Sequence, residues 1–242
     1  MEMKGDVKMN LLLNVPYAEK EDAKGKGARW NPELKKWYVD DISKAPDIEK
    51  WIPDFNILCS KIVIFEMDRA CWKCMQNTLV VCLASDLSFA PEDQYKENKN
   101  LQLFSYIKNM PEALQIHLKA KYDYSPSYSK QIDETYFMNH CNYCNSVQGD
   151  NYLHEIPEDA FYKKLCYVNS KPSSYTTIEN EFIIPLAASL PYYDEMSESA
   201  DLMFQHIYTG IENRESLDIT QKLINGLFDK SIHLGSVKID GI

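Results

Sequence analysis

The sequence is poor in glycine: eight in 242 residues, with none arranged as a phosphate-cradling loop. It has no Gly-x-Ser-x-Gly elbow and no His-Glu-x-x-His helix. The marks of P-loop enzymes, α/β-hydrolases and zincin proteases are therefore missing, and a non-enzymatic protein is the expectation. No apolar run reaches the roughly 18 residues of a membrane span. Met1 to Lys8 are mixed and charged, without the apolar centre of a signal peptide. A cytoplasmic location is expected. An even cysteine set for a disulfide framework is also lacking: there are seven, and four of them form two Cys-x-x-Cys pairs. That usage suits a metal site in a reducing compartment.

What is abundant is acid and tyrosine. The formal net charge is −10, from 26 Lys and Arg against 36 Asp and Glu. Residues 1–50 carry ten of each sign, so the whole acidic excess lies in residues 51–242. Such a body repels nucleic acid at long range, and any contact with it must be local. The sixteen tyrosines suit either half-buried sheet positions or a contact surface.

Leu11 to Val15 read as a short strand, Ala18 to Lys26 as a helix stopped by Gly25 and Gly27, and Ala28–Trp30 as extended chain. Asn31–Leu34 read as a turn and Lys35–Val39 as the return strand of a hairpin. This β-α-β-β unit interleaves Lys24, Lys26, Arg29, Lys35 and Lys36 with Trp30, Trp37 and Tyr38. Bases stack on rings and phosphates meet cations, so this set is a candidate nucleic-acid or partner surface. Equally, Trp30 and Trp37 could be the unit's small core, with the lysines a solvated face.

The ordered residues Gly27-Ala28-Arg29-Trp30-Asn31-Pro32 and Lys36-Trp37-Tyr38-Val39, after Leu13-Asn14-Val15-Pro16-Tyr17, resemble a small bacterial domain of unknown function. That domain is often appended to plasmid-transfer primases of the TraC type and to other mobile-element proteins. The resemblance implies a nucleic-acid context for about 30 residues.

Cys71-Trp72-Lys73-Cys74 precedes a continuous apolar run, Thr78 to Leu83, which is expected as a buried strand. Thr135–Met138 is expected as the strand that delivers Cys141-Asn142-Tyr143-Cys144. Between them, about residues 85–130 look like an insertion, with a helix expected over Pro111–Tyr122 and a loop over 124–128. The two cysteine pairs offer four thiolates, which zinc accepts tetrahedrally at about 2.3 Å. The expectation is one structural Zn2+ on Cys71, Cys74, Cys141 and Cys144, across a gap of 66 residues. A closed four-sulfur site leaves no position for water and argues for scaffold over catalysis. Free or redox thiols are the competing reading, and His140 and His154 are the nearest rival ligands. Cys59, Cys82 and Cys166 sit among apolar residues and read as core thiols. Asp68-Arg69 and Gln148-Gly149-Asp150 flank the cysteines and suit turn and outer-shell hydrogen-bonding roles. The run "YFMNHCNYCNSVQGDNYLHE" also resembles an uncharacterised bacterial zinc-binding module, in which Asn145 takes the place of a usual glycine.

Beyond residue 158 the chain offers strand character at 178–186, helices at 197–211 and 217–228, and a last strand at 232–239. The fold expected is α+β: a β-α-β-β domain over 1–52, then a zinc-binding α+β domain over 53–242 with a ribbon-like centre and a mixed C-terminal part. The function expected is an accessory protein that binds nucleic acid or a nucleic-acid-processing partner. The alternative is an acidic, inhibitor- or immunity-type protein that meets a basic partner.

Overall fold

Two apolar alternations start the chain. Leu11 and Leu13 of strand β1 (Leu11–Leu13) pair with Val39 and Trp37 of β3 (Lys36–Val39), and all four are buried. Strand β2 (Arg29–Asn31) pairs with the other edge of β3, giving the sheet order β1-β3-β2. Helix α1 (Lys20–Gly25) crosses between β1 and β2. It ends where Gly27 takes φ +89, with Ala28 N–H donating to Ala23 and Gly27 N–H to Lys24. This double bond closes the helix's orphan carbonyls, and the left-handed residue it needs is a glycine. The Asn31 side chain accepts from the N–H groups of Glu33 and Leu34, forming the expected turn. Helix α2 (Ala45–Ile48) follows, and Trp51 completes the unit's core.

The computed structural model describes residues 10–52, 55–91, 102–155, 174–189 and 212–216. The helices expected at 197–211 and 217–228, the strand at 232–239 and Cys166 lie outside the described residues.

The body is mostly strand. β4 (Ile57–Ala70), β5 (Asn77–Ser85), β7 (Gln102–Asn109) and β11 (Ser174–Ser189) close a four-stranded barrel. β4 pairs with β5 and β11, and β7 bridges β5 to β11. The short β6 (Ser88–Phe89) caps the start of β4, and β12 (Glu212–Ser216) lies parallel to β11. Inside are Ile62, Ile64, Leu83, Phe104, Ile107 and Ile178. Helix α3 (Glu112–Tyr122) lays Leu114, Leu118 and Tyr122 over them at four-residue spacing. No helix among the described residues is long and apolar enough to cross a membrane.

Two expectations change here. Residues 102–122, within the stretch expected as an insertion, are part of the body, because β7 is a barrel strand and α3 covers the core. The loop expected at 124–128 is strand β8 (Ser125–Ser129), paired with β9 (Glu134–His140). Pro126 hid it; proline is tolerated there because β8 pairs on one side only. The third sheet is β10-β9-β8, with β10 at Val147–Gln148.

The N-terminal unit docks through an irregularity in β11. Between Glu179 and Ile184 that strand runs five residues while its partner β4 runs only from Lys61 to Cys59. Surplus residues there reach the N-terminal unit: Phe182 bridges Asn10, and Ile183 N–H donates to the Asn10 carbonyl at 3.0 Å. Ile183, Leu58 and Phe89 then join Leu11, Leu13 and Trp51 in one core.

If β7 is a structural wall, Phe104→Ala removes a buried ring and lowers global stability by about 3–5 kcal/mol. Denaturant titration followed by circular dichroism reads it. An unchanged midpoint would mean that 85–130 hang outside the cooperative unit.

Candidate metal centre and basic-aromatic face

Two hairpins reach the same point in space. Cys71 is the first residue after β4, and β5 starts at Asn77; Cys141 is the first residue after β9, and β10 starts at Val147. Each tip is built the same way. Met75 N–H donates to the Cys71 carbonyl at 3.0 Å and Cys71 N–H to Gln76 at 2.9 Å. Asn145 N–H donates to Cys141 and Cys141 N–H to Ser146, both at 2.9 Å. Lys73 N–H points at the Cys71 sulfur, 3.3 Å, and Tyr143 N–H at the Cys141 sulfur, 3.4 Å. Both tips turn on a left-handed residue just after the second cysteine: Met75 at φ 61 and Asn145 at φ 54. Asn145, standing where the resembled module has glycine, thus takes the left-handed backbone a glycine would, and Met75 repeats the device in the first hairpin.

The four sulfurs all lie within 4.8 Å of one another. Cys71 and Cys144 are 3.7 Å apart, and Cys74 and Cys141 are 3.6 Å apart. A tetrahedron with 2.3 Å arms has an edge of about 3.8 Å, so the donor set fits a thiolate-bound ion. The surroundings suit sulfur that carries negative charge. Ser146 Oγ lies 3.2 Å from both Cys71 and Cys144, and Gln148 Nε2 donates toward Cys71 at 3.4 Å. Burial pushes the Cys71 thiol up, but the Ser146 hydroxyl and the N–H groups of Cys74 and Lys73 outweigh it and bring it down to about 5. Cys144 is lowered too, chiefly by Ser146. The Gln76 N–H pulls Cys74 down, yet burial and the neighbouring thiols lift it to about 12. Like-charged sulfurs at this spacing compete for ionisation unless a cation lies between them.

Side chains hold the hairpins in register across 66 intervening residues. Buried Asn139 acts as a piece of strand: its Oδ1 accepts from Val81 N–H at 2.7 Å and its Nδ2 donates to the Val81 carbonyl at 2.9 Å. Trp72 Nε1 donates to Val147, Asn142 N–H to Thr78 Oγ1, and Arg69 to the Tyr152 carbonyl beneath a ring contact of 3.7 Å. Asp150, buried, accepts from Tyr106 N–H. Of the residues expected around the cysteines, Gln148 reaches a sulfur, while Arg69 and Asp150 bond the backbone of Tyr152 and Tyr106.

The rival ligands stand elsewhere. His140 bonds Ser127 Oγ and the Asp123 carbonyl, both at 2.9 Å, and neither it nor His154 joins the cluster. Burial lowers His154 to about 4. Cys59 and Cys82 are fully buried and their thiols are pushed up, as core thiols are.

At the N-terminal unit the structure divides the expected contact set. Trp37 is 8% exposed and faces the core with Leu11 and Val39, so it offers no ring to a partner. The alternation of β3 puts it there, opposite in facing to Tyr38. Trp30 is 49% exposed, edge-on to Trp37 at 5.5 Å. Arg29, Lys24 and Lys35 are exposed, Lys26 and Lys36 half-buried. Much of the positive charge is answered within the unit: Lys24 by Glu21, Lys26 by Asp22, Arg29 by Asp40 and Lys50 by Glu19 and Asp22. Sequence reasoning missed these pairs, as it missed Asn139 and Ser146. The equal spacing from each first cysteine to Met75 and Asn145 was the one signal available.

Met75 is 71% exposed, so its side chain repays little of the 1–2 kcal/mol that a left-handed non-glycine residue costs, by rough measure. Met75→Gly is expected to raise stability by about 0.5–1 kcal/mol after the glycine's own entropy is subtracted. A higher melting temperature with unchanged cysteine reactivity checks it, and a loss would mean the methionine packs on something essential.

Residues 10–53 match the family described as Domain of unknown function (DUF5710). Two curated relatives, each named DNA primase TraC from Escherichia coli, align with the same region. One is 46% identical over 39 residues, 16% of this chain and 3% of the relative. The other is 36% identical over 44 residues, 18% of this chain and 4% of the relative. The chain thus spans only a few per cent of the length of these relatives, and no solved structure matches it. The N-terminal unit of this chain is a DUF5710 domain related to short segments of TraC primases, followed by a body that carries a four-cysteine cluster.

Proposed function

We propose that this chain is a non-enzymatic, cytoplasmic, zinc-stapled accessory protein whose N-terminal unit contacts single-stranded nucleic acid. The observation that carries this reading is the match of residues 10–53 to segments of two DNA primases, on a unit whose Trp30 ring is exposed and whose hairpin also carries Arg29, Lys35 and Lys36. Base stacking on an exposed ring contributes about 1–3 kcal/mol, and nearby cations track the phosphates. Zn2+ would be held by Cys71, Cys74, Cys141 and Cys144. Bound there it supplies a cross-link and, with all four positions filled by sulfur, no open site. The chain's own residues do the rest: Ser146, Gln148 and the backbone N–H groups of Lys73 and Tyr143 steady the sulfurs.

A second reading is supported by charge. Four N-terminal cations, Lys24, Lys26, Arg29 and Lys50, have acidic partners inside the unit, and residues 51–242 hold 16 basic against 26 acidic side chains. Such a body suits an acidic inhibitor that docks on a basic protein.

Two measurements test these claims. Purified protein is expected to hold one zinc per chain, and Cys141→Ser to lose the metal with a severe drop in stability, since structural zinc contributes on the order of 10 kcal/mol. Metal content well below one equivalent in folded protein would sink the staple. A fluorescence titration with a single-stranded oligonucleotide at two salt concentrations is expected to show binding that weakens about tenfold or more in Trp30→Ala. Lys35→Ala with Lys36→Ala should flatten the salt slope by about 1.4. No binding at low salt, with capture of a basic protein instead, would favour the second reading.

A further inference from the structure

The two cysteine hairpins end in open rings. Trp72, between the cysteines of the first pair, is 53% exposed, and Tyr143, between those of the second, is 67% exposed. The contacts that gather the sulfurs also bring these two residues together. The four sulfurs lie within 4.8 Å of one another, Trp72 Nε1 donates to the Val147 carbonyl at 2.7 Å, and Asn142 N–H donates to Thr78 Oγ1 at 3.0 Å. The bond to Val147 fixes one edge of the Trp72 indole and leaves ring surface open. Large apolar side chains gathered and exposed in this way mark a contact site.

What surrounds the rings narrows the partner. Residues 70–77 and 141–149 contain no Asp or Glu, in a chain whose residues 51–242 carry 26 of them. Lys73 is the one charged residue of these two stretches. Around the rings the large exposed side chains are Lys73, Met75 and four amides, Gln76, Asn77, Asn142 and Asn145. An aromatic anchor of a protein interface sits in a well-packed pocket ringed by contacts that exclude water. These rings stand at a hairpin tip among amides instead. Amides donate to and accept from base edges, open rings stack bases, and a lysine meets a phosphate. The four thiolates and a divalent ion would together carry two negative charges, so attraction of phosphate to this face is weak and stacking dominates.

We propose that the tip formed by the two cysteine hairpins is a second contact for single-stranded nucleic acid, with one base stacked on Trp72 and another on Tyr143. The proposal rests on the nucleic-acid reading above and adds a site outside the N-terminal unit. β4 joins the two regions: its fourteen residues extend about 45 Å, from near the core shared with that unit at Leu58 to the cysteine beyond its end. A strand long enough to follow it can engage both, and binding at one raises the effective concentration at the other.

The test is fluorescence anisotropy of a labelled oligo(dT) of about 30 nucleotides with the full, zinc-loaded chain. Tyr143→Ala and Trp72→Ala are each expected to weaken binding about fivefold or more, with a salt slope close to that of the wild type. Trp72→Phe, which keeps a stacking ring but gives up the bond to Val147, should bind within about twofold of the wild type. Zinc content and melting temperature of each variant accompany the titration, and Tyr143→Ala decides if Trp72→Ala loses its metal. Wild-type affinity in both alanine variants, with a loss in Trp30→Ala, overturns the tip and leaves the nucleic-acid reading standing. A loss in Trp72→Phe as large as in Trp72→Ala, with none in Tyr143→Ala, does the same, because hairpin alignment alone would then explain it. Unchanged strand binding with weaker self-association of Tyr143→Ala in sedimentation assigns the face to a second copy of this chain and overturns the proposal. Failure of every single strand to bind overturns both readings.

Discussion

One strand carries the architecture. β4 is fourteen residues long and pairs with β5, β6 and β11. Near its start, Leu58 is shared with the core of the N-terminal unit; beyond its end stands Cys71. Its burial follows its neighbours. From Ile62 to Phe65 every residue is buried, because this stretch pairs on both edges and packs on both faces; from Met67 onward buried and exposed residues alternate, where the hairpin extends toward the cysteines. A strand that is paired on both sides resists bending, so it fixes the distance between the N-terminal unit and the cysteine cluster.

At the cysteine end the two hairpins solve one problem twice. A Cys-x-x-Cys tip must turn sharply enough to aim two sulfurs at one point, and the turn demands a left-handed residue after the second cysteine. Asn145 tolerates that backbone; Met75 does not, and is held there by the Cys71 carbonyl and the Gln76 bond. The sulfurs then sit at a spacing close to a tetrahedral edge, with donors aimed at them. The alignment of the hairpins depends on buried polar contacts such as that of Asn139 with Val81. Left unpaired, each of those backbone groups would cost about 1–3 kcal/mol.

At the other end, charge is managed locally. Lys24 and Lys26, part of what looks like a phosphate-binding row in sequence, are paired with acids on the same small unit, as is Lys50, and Lys26 and Lys50 lie over the Trp51 ring. Exposed pairs of this kind contribute little stability. They do lower the unit's positive field.

The chain by itself determined its local pieces. The β-α-β-β order, the Gly27 stop, the turn on Asn31, the helix after Pro111 and the pairing of Cys71 and Cys74 with Cys141 and Cys144 all follow from short-range rules of φ, capping and ligand spacing. Where the rules conflicted the reading failed, as at Pro126, where an edge position excuses a proline in a strand. What only tertiary structure decided are the matters of long range. Closure of β4, β5, β7 and β11 makes residues 102–109 part of the body, because β7 finds its partners on either side of the helix and cysteine hairpin that follow it. The face on which Trp37 lies depends on where the core is. The docking of the N-terminal unit uses surplus residues in β11 that bring Phe182 against Asn10, more than 170 positions away in sequence, a contact that no periodicity in either segment encodes.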